Sequence, residues 1–298
     1  MAEKDFAIVC DSTCDLHEGF LDKAQVVCVR LDGSERGELE APSALERAYR
    51  ALAEEGFARV ISIHSASSFS PVADGARSAA ATCADVIDVR VVDSGSASAA
   101  TGMLIDRAAR YRYFDVAFED AVAGLEALAS HVRLLVIPAP SSRLALRRPR
   151  RTRGGLIGRA AATFRVRMTG ERGLYLLSQG SVTQLARNND LDALACRLAH
   201  AAGAVADNEG PLVHALTASE NVRALRAVER SLDELGVRTS CLGTVHACPL
   251  TEVALGKGAV AVAVAPSSAY WRDEATLRGL GSRNAVSEGI EQQNRRIT

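Results

Sequence analysis

Residues 7–16 read Ala-Ile-Val-Cys-Asp-Ser-Thr-Cys-Asp-Leu, an apolar run that ends in acidic and hydroxyl side chains. The same pattern returns twice, because Arg59–Ile63 is followed by His64 and Ser65, and Val89–Val92 by Asp93 and Ser94. Segments with apolar residues at helical spacing lie between these runs. Short strands that alternate with helices of about 10–15 residues are typical of βαβ units, which predicts a mainly parallel sheet.

The pattern changes in the second half of the chain. Leu134–Ile137 is predicted as a fifth strand of the parallel sheet, and shorter strand-like runs follow after an Arg-rich and Gly-rich stretch. The predicted fold class is therefore α/β with two domains. Residues 1–160 form an N-terminal parallel α/β/α sheet, and residues 161–298 form a smaller α+β domain with a mixed sheet. The polar tail from about residue 271 is expected to be weakly structured.

The composition excludes several classes of protein. The 298 residues are 48% apolar, yet the longest apolar runs are far shorter than the roughly 18 residues of a membrane helix. A net charge of −1 gives no general attraction to nucleic acid or to an anionic membrane. Seven scattered cysteines argue against a disulfide framework, and no Cys or His spacing favours zinc. We therefore expect a soluble cytoplasmic protein without a structural metal.

Hydroxyl side chains follow three of the predicted strands. The carboxyl ends of parallel strands share one edge of a sheet, where ligands of open α/β proteins bind. Short hydroxyls that converge there can donate hydrogen bonds to a carboxylate or phosphate oxygen. Ser and Asp also cap helices, and this structural role is the simpler explanation of each residue taken singly, but it explains three such strand ends together less well. The candidates are Asp11, Ser12 and Thr13 after the first strand, His64, Ser65 and Ser68 after the third, and Ser94 after the fourth.

Rival chemistries lack their motifs. No strand is followed by a Gly-x-Gly-x-x-Gly or Gly-Lys-Ser/Thr loop, which argues against nucleotide binding. Gly-x-Ser-x-Gly is also absent, and the sequence by itself does not select a Ser-His-Asp triad. Residues 143–167 contain nine Arg and no Asp or Glu. Without interleaved aromatic residues, this stretch is better interpreted as an interdomain loop or a docking patch for an acidic partner.

The sequence resembles the DegV family at several points in order along the chain. The opening signature at residues 7–16 is similar to the family's Asp-Ser-Thr-x-Asp-Leu strand end. Residues 61–68 resemble the family's serine-rich turn, and residues 91–94 its Val-Ile-Asp-Ser segment. Residues 154–157 are similar to the Gly-Gly-Arg-Ile turn, and residues 249–265 to the glycine turn near the end of the family's chains.

This resemblance implies a cytoplasmic two-domain protein that binds one long-chain fatty acid in a tunnel between its domains. It also implies a separate ATP-dependent fatty acid kinase as a possible partner, with no cofactor and no catalysis by the binding protein itself. The head-group site carried over from the family consists of Ser65, Ser94, His64 and Ser68. Its supporting loops contain Asp11, Ser12, Thr13, Gly256 and Gly258.

Three departures from the family pattern fall in this head-group site. Ala254 stands where the family has the His before the glycine turn, and Leu156 stands where it has the Arg of Gly-Gly-Arg-Ile. The hydroxyl pair of the family's Thr-Ser-x-Pro-Ser loop is replaced by Leu39 and Glu40. These losses motivate an alternative function, an enzyme on the same scaffold that acts on a small carboxylated or phosphorylated metabolite.

A hydrocarbon tunnel requires small residues along its wall. Two Ala-rich segments, Val72–Cys83 and Gly158–Thr163, are the sequence candidates for that wall. Close packing between helices explains the same composition equally well.

Overall fold

The computed structural model describes residues 6–31, 35–140, 142–146 and 171–272. Ten strands are present in this part of the chain: β1 Ala7–Asp11, β2 Val26–Val29, β3 Arg59–His64, β4 Asp88–Asp93, β5 Arg133–Ile137, β6 Arg172–Ser178, β7 Ser181–Asn188, β8 Leu212–Ala218, β9 Thr239–His246 and β10 Val260–Pro266. Its helices are α1 Glu18–Lys23, α2 Glu35–Glu54, α3 Val72–Thr82, α4 Ala99–Tyr113, α5 Phe118–Ala129, α6 Arg143–Leu146, α7 Leu191–Glu209, α8 Val222–Glu234, α9 Pro249–Leu255 and α10 Ser267–Tyr270.

The first sheet is parallel and has the strand order β2-β1-β3-β4. Its β1 and β3 are almost entirely buried, because helices cover both faces of the sheet. One face packs against α2 and α3 through an apolar cluster that includes Val9, Leu45 and Ala76. The other face packs against α4 and α5 through Ile8, Leu104 and Leu125.

The second sheet is mixed and has the strand order β7-β6-β5-β10-β8-β9. Only β8 and β9 pair in parallel, and the remaining neighbours are antiparallel. The predicted α/β fold class, with one parallel and one mixed sheet, is confirmed.

The assignment of β5 to the parallel sheet was wrong. It pairs with β10 and β6 in the second sheet, with Leu135 opposite Val262. A short apolar strand carries no local signal for the sheet that it joins, because its partner β10 lies more than 120 residues further along the chain.

Helices α4 and α5 form a layer that both sheets share. The cluster that holds Leu104 of α4 and Ile8 of the first sheet continues to Ala215 and Ala263 of the second sheet. The outer face of the second sheet is covered by α7 and α8. The layers therefore run helix, sheet, helix, sheet, helix, and the middle helices touch both sheets.

Several predictions fall on residues outside the described ranges. These are the strand at Phe164–Met168, the Ala-rich segment Gly158–Thr163, most of the Arg-rich stretch and the tail beyond residue 272. The division of domains at residue 160 also falls there and stays a prediction.

The Ala-rich segment Val72–Cys83 is described. Its Ala73, Ala76 and Ala79 are buried, and Gly75 packs against the ring of Pro42 in α2. These small residues allow close packing of α3 against α2, which is the second of the two explanations that the sequence offers for them.

Contact between the two sheets requires Gly95 in the loop before α4. Its φ is +63°, and an added Cβ would lie 3.0 Å from the backbone Cα of Gln179 in the β6–β7 hairpin. We predict that Gly95→Ala lowers the free energy of unfolding by at least about 1 kcal/mol more than Gly180→Ala. Gly180 is the matched control, because its φ is +71° but nothing lies within 4 Å of its added Cβ. Equal losses in urea unfolding would contradict this close approach.

Candidate functional site

The ends of β1, β3 and β4 meet at one edge of the first sheet, as the sequence predicts. The register pairs Cys10 with Ile63, and His64 with Asp93. The polar residues that follow each strand are thereby brought side by side, and the chain turns away from the sheet into α4 just beyond Ser94.

Four hydroxyl side chains form a continuous hydrogen-bonded cluster at this edge. Thr13 Oγ1 lies 2.9 Å from Ser65 Oγ. Thr101 Oγ1, from the first turn of α4, lies 3.2 Å from Ser65 Oγ and 3.0 Å from Ser94 Oγ. All four side chains are at most 1% exposed. We call Thr13, Ser65, Ser94 and Thr101 the hydroxyl cluster.

The carboxylate of Asp11 fixes the direction of every proton in the hydroxyl cluster. Thr13 Oγ1 donates to Asp11 Oδ1 at 2.5 Å. A hydroxyl has one proton to donate. Ser65 must therefore donate to Thr13, Thr101 to Ser65, and Ser94 to Thr101. Each hydroxyl oxygen can still accept a further hydrogen bond. Ser94 lies at the end of the cluster farthest from Asp11, so its proton can turn away when only the hydrogen bond to Thr101 is broken.

A second chain of hydrogen bonds leaves the other oxygen of Asp11. His64 Nδ1 lies 2.6 Å from Asp11 Oδ2, and His64 Nε2 lies 2.7 Å from Ser62 Oγ. This is the order of contacts in a Ser-His-Asp triad. Ser62 and His64 are 0% exposed, however, and Ser62 Oγ also lies 2.7 Å from the hydroxyl of Tyr49. The chain is therefore a buried support for Asp11.

The structure thus joins five of the nine residues predicted for the site: Asp11, Thr13, His64, Ser65 and Ser94. Ser12 instead bonds the backbone of Leu31. Ser68 lies half-buried in the turn at residues 67–69. The roles of these residues in ligand binding stay predictions.

The two predicted glycines shape the loop before β10. Gly256 has a φ of +83°, and an added Cβ would lie 2.5 Å from that of Ala139. Gly258 also has a φ of +83°, and its N–H donates to Ser219 Oγ. Both glycines are therefore required by the backbone of this loop.

Thr101 is the member of the hydroxyl cluster that the sequence did not reveal. It lies inside a helix, where a Thr among small apolar residues carries no local sign of a polar role. The available signal was its position in the first turn of the helix after Asp93 and Ser94, because that turn starts at the same sheet edge.

An apolar groove of about 280 Å³ lies between α4 and the second sheet. Ala99, Gly102, Asp106 and Arg110 line it from α4, so the groove follows about 16 Å of one helix face. Its other walls are largely apolar and include Leu16, Phe20, Ala215, Val245 and Tyr270. Two of the lining residues, Ala99 and Gly102, flank Thr101 of the hydroxyl cluster along the helix.

Asp15 lies in a second polar cluster, at the seam between the sheets. Asp15 Oδ2 accepts a hydrogen bond from Ser98 Oγ, which lies 2.8 Å from Thr217 Oγ1 of β8. Asp15 Oδ1 accepts hydrogen bonds from Cys248 N and Thr251 Oγ1. Burial raises the pKa of Asp15 from 3.8 to about 7, although the hydrogen bond from Ser98 opposes this shift.

Two further findings concern metal ions and membrane-spanning helices in the described part of the chain. Among the residues placed in the structure, no group of three or more His, Cys, Asp or Glu is arranged to hold a metal ion. None of the helices in these ranges is long and apolar enough to cross a membrane.

Two sheets that share a helical layer, with buried hydroxyls at the strand ends and a groove at the seam, define the class as a two-sheet α/β protein. A family model described as "uncharacterised protein, DegV family" matches residues 35–267. The chain belongs to the DegV family, and the resemblance seen in its motifs is confirmed. No curated protein matches the chain.

Solved structures share this fold at low sequence identity. A DegV family protein from Corynebacterium glutamicum is 19% identical, with a TM-score of 0.71 over 89% of this chain and 99% of its own. A DegV family protein from Thermus thermophilus, described with fatty acid binding, is 20% identical, with a TM-score of 0.70 over 88% and 99%. DegV from Bacillus subtilis, described as a fatty acid binding protein, is 18% identical, with a TM-score of 0.67 over 89% and 100%.

The raised pKa of Asp15 predicts a specific pH dependence of stability. Because the pKa is higher in the folded protein than in the unfolded chain, the folded state holds this proton more tightly. This contribution to stability is complete below pH 3.8 and is lost as the pH rises through about 7. We expect the free energy of unfolding of the wild type, relative to Asp15→Asn, to fall across this window by a few kcal/mol, on the order set by the shift.

Urea unfolding at a series of pH values measures this difference. Asp22→Asn, at an exposed carboxylate of α1, is the control for the loss of one negative charge. A constant difference between the wild type and Asp15→Asn from pH 4 to pH 8 would contradict the prediction.

Proposed function

We propose that this protein binds one long-chain fatty acid, with its carboxyl group at the hydroxyl cluster and its hydrocarbon chain along the groove beside α4. The observation that carries the proposal is the meeting of four buried hydroxyls beside the first turn of α4, the helix that also lines the apolar groove. Related structures described with fatty acid binding support the same ligand class.

The hydrocarbon chain supplies the affinity. Burial of about 14 methylenes contributes roughly 11 kcal/mol at ~0.8 kcal/mol each. Loss of translational and rotational freedom costs about 4–15 kcal/mol. The groove of about 280 Å³ is close to the lower end of ligand pockets, roughly 300–1,000 Å³. The apolar walls therefore determine whether the ligand binds, and the hydroxyls determine its orientation.

The hydroxyls that would bind the carboxyl group of the ligand already donate hydrogen bonds within the hydroxyl cluster. Since all four protons of the hydroxyl cluster point toward Asp11, a bound carboxylate requires at least one hydroxyl to turn. Ser94 can turn at the lowest cost, because only its hydrogen bond to Thr101 is broken. Its oxygen still accepts the hydrogen bond from the N–H of Ser96. Ser65 would break a link in the middle of the chain. We therefore assign the main contact to Ser94.

The proposal extends to three finer properties of the protein. We place it in the cytoplasm, which fits its seven free cysteines. We assign it no catalysis of its own, because the Ser62 hydroxyl of the triad-like chain is already held between His64 and Tyr49. This arrangement also argues against the alternative of an enzyme that uses the triad-like chain on a small metabolite. Presentation of the carboxyl group to a separate ATP-dependent fatty acid kinase stays a prediction from the family resemblance.

Native mass spectrometry of gently purified protein tests the proposal. We expect one acyl chain per protein, or uptake of added palmitate or oleate. We also expect Ser94→Ala to weaken binding by more than Ser65→Ala, since a hydrogen bond to a charged group contributes about 1.5–3 kcal/mol, which is roughly 10-fold to 100-fold in Kd.

Ser62→Ala is the matched control for these variants, because its hydroxyl serves only the buried support of Asp11. It should lower stability more than it lowers affinity. Protein without lipid that also takes up neither fatty acid would refute the proposal, and equal affinity of all three Ala variants would remove the hydroxyl cluster from the site.

The groove predicts a limit on ligand length. Ala215 faces the groove from β8, so Ala215→Leu fills part of the path of the hydrocarbon chain. We expect this variant to lose affinity for 16-carbon and 18-carbon acids while it retains affinity for shorter ones, as measured by competition between chain lengths. Ala204→Leu on the exposed side of α7 is the control for the added side chain. An unchanged chain-length preference would place the hydrocarbon chain elsewhere.

A further inference from the structure

Three cysteine thiols meet on one face of the first sheet, next to the hydroxyl cluster but outside it. Cys10 of β1 and Cys28 of β2 are direct partners in the parallel register. Both pack into the apolar cluster between this sheet and α4. Cys14, in the turn after β1, brings its Sγ to 3.9 Å from Cys10 Sγ. We call Cys10, Cys14 and Cys28 the thiol cluster.

The three thiols differ in their access to solvent. Cys10 is 0% exposed and Cys14 is 1% exposed. Cys28 is partly exposed, because β2 is the edge strand of the sheet. Within the thiol cluster, a reagent dissolved in water therefore reaches Cys28 first, and the other two sulfurs lie behind it.

The thiols also differ in proton affinity. The neighbouring thiols of Cys10 and then Cys14 lower the pKa of Cys28 below its usual value. The pKa of Cys10 is raised, first by its hydrogen bond with Cys14. The accessible sulfur is thus the one favoured as a thiolate, which is the reactive form of cysteine.

We propose that the thiol cluster is an oxidation site, in which a hydroperoxide oxidises Cys28 and a buried neighbour, Cys10 or Cys14, captures it as an internal disulfide. The Cys28 thiolate attacks the peroxide, its S–O bond forms as the O–O bond breaks, and the leaving oxygen departs with a proton as water or an alcohol. The neighbouring thiol then attacks the sulfenic sulfur, the S–S bond forms, and the S–O bond breaks with release of water. Two thiols lose two electrons in total, and the hydroperoxide gains them.

The backbone geometry suits this second step. Register partners on adjacent strands have Cα atoms about 4.8 Å apart. Disulfides span Cα separations of about 4.4–6.8 Å, so Cys10 and Cys28 can be joined without separating the strands. Cys14 lies in a turn and is the alternative partner. Neither exposed cysteine, Cys196 or Cys241, has a hydrogen bond to another thiol in the described part of the chain.

Differential alkylation of the full-length protein after treatment with hydrogen peroxide tests this inference. We expect the wild type to lose two free thiols per chain, and peptide mapping to place an internal disulfide within the thiol cluster. Dithiothreitol should restore both thiols. In Cys28→Ser, Cys10 and Cys14 should stay reduced at the same dose of peroxide, whereas Cys241→Ser should behave as the wild type.

Three results would overturn the inference: no loss of thiols from the cluster, oxidation of Cys28 to sulfinic or sulfonic acid without a disulfide, or an internal disulfide that still forms in Cys28→Ser. The wild-type peptide map decides between the first two outcomes without any variant. The test therefore remains decisive even if a substitution in the thiol cluster impairs folding. None of these measurements depends on fatty acid binding.

Discussion

Burial of α4 between the two sheets is the constraint on which the rest of the structure depends. Eleven of its fifteen residues are buried, because it packs against the parallel sheet on one side and the mixed sheet on the other. The residues that begin this helix must therefore have small side chains. Gly102 allows Leu16 to approach closely, since an added Cβ would lie 3.1 Å from that side chain. The same small residues leave the groove open and bring Thr101 to the strand ends.

Two aspartates four residues apart organise the polar groups around this helix. Asp11 is buried at the strand ends, where both of its oxygens accept hydrogen bonds and orient the hydroxyl cluster. Asp15 is buried at the seam, where its carboxylate connects the turn after β1 to Ser98 and α9. A buried carboxylate is costly without such partners. The opening signature of the chain thus places one buried carboxyl group at the strand ends and one between the sheets.

The sequence predicted those parts of the site that follow directly from strand ends. Asp11, His64 and Ser94 are adjacent because parallel strands bring their carboxyl ends to one edge, which requires only the correct identification of three strands. Thr101 was missed because it lies inside a helix, where a Thr among small apolar residues carries no local sign of a polar role. The fifth strand was misplaced for a similar reason, since β5 meets its partner β10 only through a long connection.

The sequence by itself determined the α/β class, the parallel sheet, the family and the positions of the polar strand ends, because hydrophobic periodicity and short motifs are local properties. Only the tertiary structure decided how these parts are joined. It placed β5 in the second sheet, assigned the wall of the groove to Ala99 and Gly102, and brought Cys28 beside Cys10. Each of these outcomes depends on contacts between segments distant in the chain, and such contacts leave no periodic signal in the sequence.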